Sequence, residues 1–146
     1  MVSLGVLPFL LSFSLISQTT RSIERAFFQD DPAVLYSLLS TQSRINITFP
    51  EPISFSDLLS REQTYFLFRR ISAAYSTFEF YADLDLPVLL KDRSCIFKAR
   101  WSFRNKKNFN QEVLQVFFYL NLEKDSPDQR SPGGWKIAEI RAERLQ

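Results

Sequence analysis

The chain reads as one α+β domain in which N-terminal helices pack on one face of a curved antiparallel sheet. Three observations predict it. Helical apolar spacing is confined to the first half, period-two alternation takes over from Thr77, and clusters of turn residues divide the strand-like runs. A chain of 146 residues has material for one well-buried core and not for two. Fifteen phenylalanines supply the bulky inward residues that such a sheet and its helices would bury.

The first stretch reads as an address. Met1 to Thr20 carries no charged side chain, and Leu4 to Ile16 is an apolar run broken by Gly5, Pro8, Ser12 and Ser14. Its length fits the h-region of a signal peptide better than a membrane span, which needs about 20 predominantly apolar residues. Residues 1–17 are therefore expected to direct export, periplasmic or secreted, with a cut after Ser17. Membrane association follows only if the segment stays uncleaved. Residues 22–143 then form the domain, and removing Met1 to Ser17 leaves its folding intact.

Within the domain, Ser22 to Phe28 places Ile23, Ala26 and Phe27 on one helical face. Asp30-Asp31-Pro32 offers a capping carboxylate and a proline at the first helical position, so a second helix is expected over Ala33 to Ser40. Arg44 to Pro50 alternates with Ile45, Ile47 and Phe49 on one side and reads as a short strand. Ser60-Arg61-Glu62-Gln63 has the capping-box pattern and opens a helix to about Tyr75, with Leu67, Ile71 and Ala74 as its stripe. Next, Phe78, Phe80, Ala82 and Leu84 alternate with Glu79, Tyr81 and Asp83, and Phe97, Ala99, Trp101 and Phe103 with Lys98, Arg100, Ser102 and Arg104. Gln111 to Leu122 is apolar on both sides, as suits a central strand or an interface. Lys124 to Gly134 reads as a surface turn and Trp135 to Glu143 as the closing strand.

Composition excludes several chemistries. The chain has no histidine, the commonest metal ligand and general base, and only three glycines, too few for a glycine-rich phosphate loop. Its one cysteine, Cys95, can form no internal disulfide and reads as a small apolar residue within a strand. No catalytic, metal or cofactor-binding residue is assigned, and no cofactor is expected.

In element order the chain resembles the NTF2-like superfamily, and within it small exported bacterial proteins of unknown function. The likeness rests on the pattern Ile23 to Leu39, the strand Ile45-Asn46-Ile47-Thr48-Phe49-Pro50, the opening Ser60-Arg61-Glu62-Gln63, the start Phe78-Glu79-Phe80 and the ending Trp135 to Glu143. It implies a cone-shaped cavity between a curved sheet and its helices. Enzymes of the superfamily place an Asp, Tyr or His inside that cone; none of the carboxylates here matches such a position. The resemblance also implies self-association through the outer sheet face.

Three sets of residues follow as candidates. Tyr36, Tyr65 and Tyr75 could line the cavity; Tyr81, Arg100, Phe117 and Tyr119 could form an interface on the outer face, with Phe117 and Tyr119 beside Arg100. Between Lys91 and Lys107 seven basic residues stand against one acid, giving +6 in a chain of +2. Alternation sends Phe97, Trp101 and Phe103 to the opposite face from Lys98, Arg100 and Arg104, so aromatics and cations cannot serve one nucleic-acid surface. Pairing of the cations with Glu79 and Asp83 is expected instead. The reading is a non-enzymatic exported binding or assembly module, with an apolar cavity for a small apolar ligand and a sheet face for homodimerisation. The alternatives are an enzyme using a carboxylate or tyrosine in the cone, and nucleic-acid binding through the basic segment.

Overall fold

The computed structural model describes residues 6–83, 88–91, 93–125 and 133–145. Helices α1 (Val6–Phe28) and α2 (Pro32–Leu38) come first, then the hairpin β1 (Ile45–Phe49) and β2 (Phe55–Leu59). Helix α3 (Arg61–Ala74) runs straight into β3 (Tyr75–Ala82), followed by β4 (Val88–Lys91), β5 (Ser94–Asn105), β6 (Gln111–Glu123) and β7 (Gly134–Arg144). The sheet order is β2-β1-β7-β6-β5-β3, with β4 paired to the start of β5. Every pairing is antiparallel except β1 with β7, which run parallel.

The local signals explain where the helices begin. Asp31 accepts hydrogen bonds from the backbone of Ala33 and Val34 at 3.1 and 3.3 Å, and Pro32 opens α2. The capping box at α3 is complete: Gln63 N–H donates to Ser60 Oγ at 3.1 Å and Ser60 N–H to Gln63 Oε1 at 2.8 Å. Strand alternation holds in the two long strands. Phe97, Ala99, Trp101 and Phe103 of β5 and Leu114, Val116, Phe118 and Leu120 of β6 are all buried.

Four features depart from the sequence expectation. A bulge between Thr77 and Glu79 breaks the alternation of β3, so Phe78 turns to solvent, 43% exposed, while Ala82 is buried; Leu84 lies outside the described residues. Strand β2 was not expected, because only Leu59 of its five residues is buried and an edge strand with polar Ser56 and Asp57 leaves no apolar rhythm. The closing strand lies beside β1 in parallel, which strand order in the sequence does not reveal. The fourth is the first helix, which begins at Val6 rather than Ser22 and buries Ile16 completely with Ile23, Ala26 and Phe27.

The core is an aromatic cluster centred on Phe27. Its ring lies 4.7 Å from Phe80 and 5.2 Å from Trp101, with Phe118 and Phe68 at 5.5 and 5.6 Å. Phe49 reaches Phe68 and Trp101 from β1, and Phe97 stacks on Phe118. Such pairs add about 0.5–1.5 kcal/mol each beyond the area they bury.

Ile16 makes the N-terminal segment testable. A chain beginning at Gln18 loses that side chain and the Ile16 carbonyl that accepts the Thr20 hydroxyl at 2.9 Å. Its stability is expected to drop by about 2–5 kcal/mol, the range for emptying a large aliphatic site. Chemical denaturation of both chains measures this; coincident midpoints would show that the domain starts after Ser17.

Candidate functional site

The cone is filled rather than hollow. The space left beneath α1 and α3 by Phe27, Leu35, Phe68, Ile71 and Trp101 has a volume of about 20 Å³, room for about one water. At this position the phenylalanines that suggested a cone take up the space.

One carboxylate stands at the rim of that space. Asp30, in the left-handed region at φ 49°, accepts the Thr77 hydroxyl on Oδ1 at 2.9 Å and the Thr77 N–H on Oδ2 at 3.2 Å. Thr77 Oγ1 in turn accepts Trp101 Nε1–H at 2.9 Å. Burial pushes the Asp30 carboxyl above its ordinary value, against the opposing pull of the Thr77 hydrogen bonds and of Lys106. Sequence reasoning passed over Asp30. The signal was the doubled acid before Pro32: only one can cap α2, which leaves the other for a tertiary partner.

The three tyrosines do not share a site. Tyr36 and Tyr65 meet edge to face at 5.8 Å on the solvent side of α2 and α3, where with Ala33, Glu62 and Phe66 they line a groove of about 250 Å³. Arg61 lies 4.0 Å from the Tyr36 ring, and the Tyr36 hydroxyl donates to Glu62 Oε1 at 3.2 Å. Tyr75 stands apart, against Phe103 at 5.1 Å. Cys95 is buried within β5, as expected, and burial pushes its thiol up to about 12, which leaves it un-ionised and unreactive.

The outer sheet face gathers the other candidates. Phe117 and Tyr119 point outward from β6, half-buried, and the Arg141 guanidinium lies 5.6 and 5.8 Å from their rings. Arg100 is not directly opposite either ring. The register sets Lys98 opposite Phe117 and Arg100 opposite Gln115, so the cation over the rings comes from β7 on the other side. Arg100 instead faces Tyr81, which is 60% exposed. Tyr81, Lys98, Arg100, Gln115 and Leu145 border a groove of about 510 Å³ on this face.

Charge on this face is paired. Lys98 meets Asp83 at 3.3 Å, Arg100 meets Glu79 at 3.5 Å and Arg141 meets Glu143 at 3.8 Å. Cations committed to carboxylates are poor phosphate ligands, and each such exposed pair contributes only about 0–1 kcal/mol to stability. They shape specificity more than they hold the fold.

No family model matches the chain, and no curated protein matches it by sequence. Solved structures match it in shape. A ketosteroid isomerase-like protein from Erwinia carotovora atroseptica superposes with a TM-score of 0.67 at 12% identity, over 91% of this chain and 95% of that one. An NTF2-like protein of unknown function in nutrient uptake from Rhodospirillum rubrum gives 0.63 at 10% identity, over 90% and 98%. A cystatin-like domain of unknown function from Nostoc punctiforme gives 0.65 at 9%, over 93% and 78%. The chain therefore has the NTF2-like, cystatin-like fold, and identities this low carry the fold alone.

Asp30 makes a pH prediction. With its folded pKa above the unfolded one, the folded protein holds the extra proton between the two values, so this group's contribution is best below the ordinary carboxylate range and is lost as pH rises through the raised value. Asp30→Asn, which suits a left-handed backbone, is expected to remove that share of the slope. Urea denaturation of both proteins from about pH 3 to 7 reads the difference, and parallel curves would show Asp30 titrating as in the unfolded chain.

Proposed function

We propose that this chain is a non-enzymatic assembly module that binds a second copy of itself through the outer face of its sheet. The observation that carries the proposal is the pair Phe117 and Tyr119 beneath Arg141, set among cations and carboxylates already paired. Aromatic rings with arginine are the composition that interface centres favour. Mixed charge in rows of both signs can complement its own copy under a two-fold rotation, whereas a face of one sign would repel it.

Magnitudes say what the contact needs. Fully burying one such ring is worth about 1.5–3 kcal/mol, and association costs about 4–15 kcal/mol. Because the rings are already half-buried, four of them across a two-fold contact supply only part of that gain, less than the association cost at its upper end. Good fit of the surrounding charges then decides the outcome. The filled cone supports this reading by leaving the sheet exterior as the working surface, and the enzymatic alternative would require the aromatic plug around Phe27 to open beside Asp30.

Export belongs to the same proposal, supported by the apolar run Leu4 to Ile16. A cut after Ser17 would take Ile16, a core residue, away with the segment. Among the described residues no helix is long and apolar enough to cross a membrane. Mass mapping of the N-terminus in the native host tests the address: a mature chain starting near Gln18 is expected, and full-length protein retained in the cytosol would overturn it.

The dimer is tested by a pair of neighbours. Phe117→Glu is expected to convert a dimer to monomer in light scattering with an unchanged circular dichroism spectrum. Phe118→Glu is expected to unfold the domain, because it buries a carboxylate where the wild-type ring is fully enclosed. A wild-type monomer at high concentration would end the proposal.

A further inference from the structure

Two irregularities of the backbone converge on one place that the proposed assembly does not use. The bulge in β3 turns Phe78 outward, and the hairpin between β5 and β6 holds Phe109 in the left-handed region at φ 63°, 67% exposed. A bulky aromatic in that conformation is uncommon, and here the turn enforces it. Phe109 N–H donates to Asn105 O at 2.9 Å and Asn105 N–H to Asn110 O at 2.9 Å, while the Asn105 side chain accepts the N–H of Lys107 at 2.8 Å. The two rings flank a pocket of about 260 Å³ whose other walls are Ser76, Arg104 and Lys106.

The chemistry of those walls selects a ligand. Arg104 lies 5.6 Å from the Phe78 ring and, among the described residues, forms no ion pair. Lys106 spends one ammonium donor on Ser72 O at 2.8 Å and keeps two. No carboxylate lines the pocket, although Asp30 reaches Lys106 electrostatically from outside it. Two cations beside two exposed aromatic rings make a site for a small anion that also carries a flat ring.

We infer that this pocket binds a small aromatic anion, its charged group on Arg104 and Lys106 and its ring against Phe78 and Phe109. The site lies on the same sheet face, at the far end of β5 from the paired rings. Arg104 lies six residues along β5 from Lys98, the partner of Phe117, or about 20 Å at the rise of a strand. The inference therefore stands or falls independently of the dimer.

Phenyl phosphate is the probe, with inorganic phosphate and phenol as the two halves of its chemistry, titrated by calorimetry at low salt. Phenyl phosphate is expected to bind at least about tenfold more tightly than either half, a difference of about 1.4 kcal/mol. Arg104→Gln is expected to abolish that preference over phenol. Phe109→Gly suits the left-handed backbone and keeps the hairpin, and is expected to abolish the preference over inorganic phosphate while the melting temperature holds or rises. The inference is overturned if phenyl phosphate does not bind at millimolar concentration, if either half binds as well as the whole, or if Phe109→Gly and Arg104→Gln, both folded, bind it like the wild type.

Discussion

Phe27 is the point at which five elements meet. It stands in the last turn of α1, and its ring touches Phe68 of α3, Phe80 of β3, Trp101 of β5 and Phe118 of β6. A curved sheet leaves a concavity beneath its helices, and a fold of this shape either keeps that concavity open or fills it. Here it is filled, because the residues facing it are large and flat and pack edge to face at the distances that aromatic quadrupoles favour. The direction of α1 and the curvature of β3, β5 and β6 must agree for these rings to fit together. Interiors at crystal-like density do not bend gradually, so the packing commits the cone to one state.

Polar groups at the rim follow from that commitment. Asp30 lies three residues beyond Phe27, and once the ring is placed the turn brings the carboxylate to Thr77, whose hydroxyl also takes the Trp101 indole N–H. A buried indole donor without an acceptor would cost about 1–3 kcal/mol, so the chain from Asp30 through Thr77 to Trp101 lets an aromatic with a polar edge stand in the core. A carboxylate that is buried, Glu123, works in the same way as half-buried Asp30. Glu123 closes β6 by accepting the Ser40 hydroxyl and, at 3.2 Å, the Thr41 N–H, which ties the segment after α2 to the sheet. Both carboxylates satisfy structural donors, which explains acidic side chains inside the domain without assigning them chemistry.

The sequence makes legible whatever depends on nearest neighbours along the chain. The caps at Asp31 and Ser60, the alternation of β5 and β6 and the pairing of Lys98 and Arg100 with Asp83 and Glu79 each need only local spacing or one adjacent strand. What fails depends on something non-local. One extra residue in β3 reverses the sense of Phe78, and no composition signal marks the bulge. Arg141 lies over Phe117 and Tyr119 because β7 lies beside β6 in a particular register, and alternation gives the face of a side chain but not its neighbour. The N-terminal run is ambiguous for a different reason: an export segment and a buried helix are both apolar, so the burial of Ile16 is not legible from its composition.

The filled cone and the outer face are two consequences of one alternation. Along β6, Leu114, Val116, Phe118 and Leu120 take the inner face completely, which forces Phe117 and Tyr119 outward between them. A strand with large residues on both sides cannot leave both sides dry in a single two-layer domain, since the helices cover one face only. Arg141 is the chain's own partial answer: its guanidinium shields the rings, yet its Nε has no hydrogen-bond acceptor in reach, because Glu143 at 3.8 Å is too distant to accept one. The proposed self-association would cover the rings that this alternation forces outward.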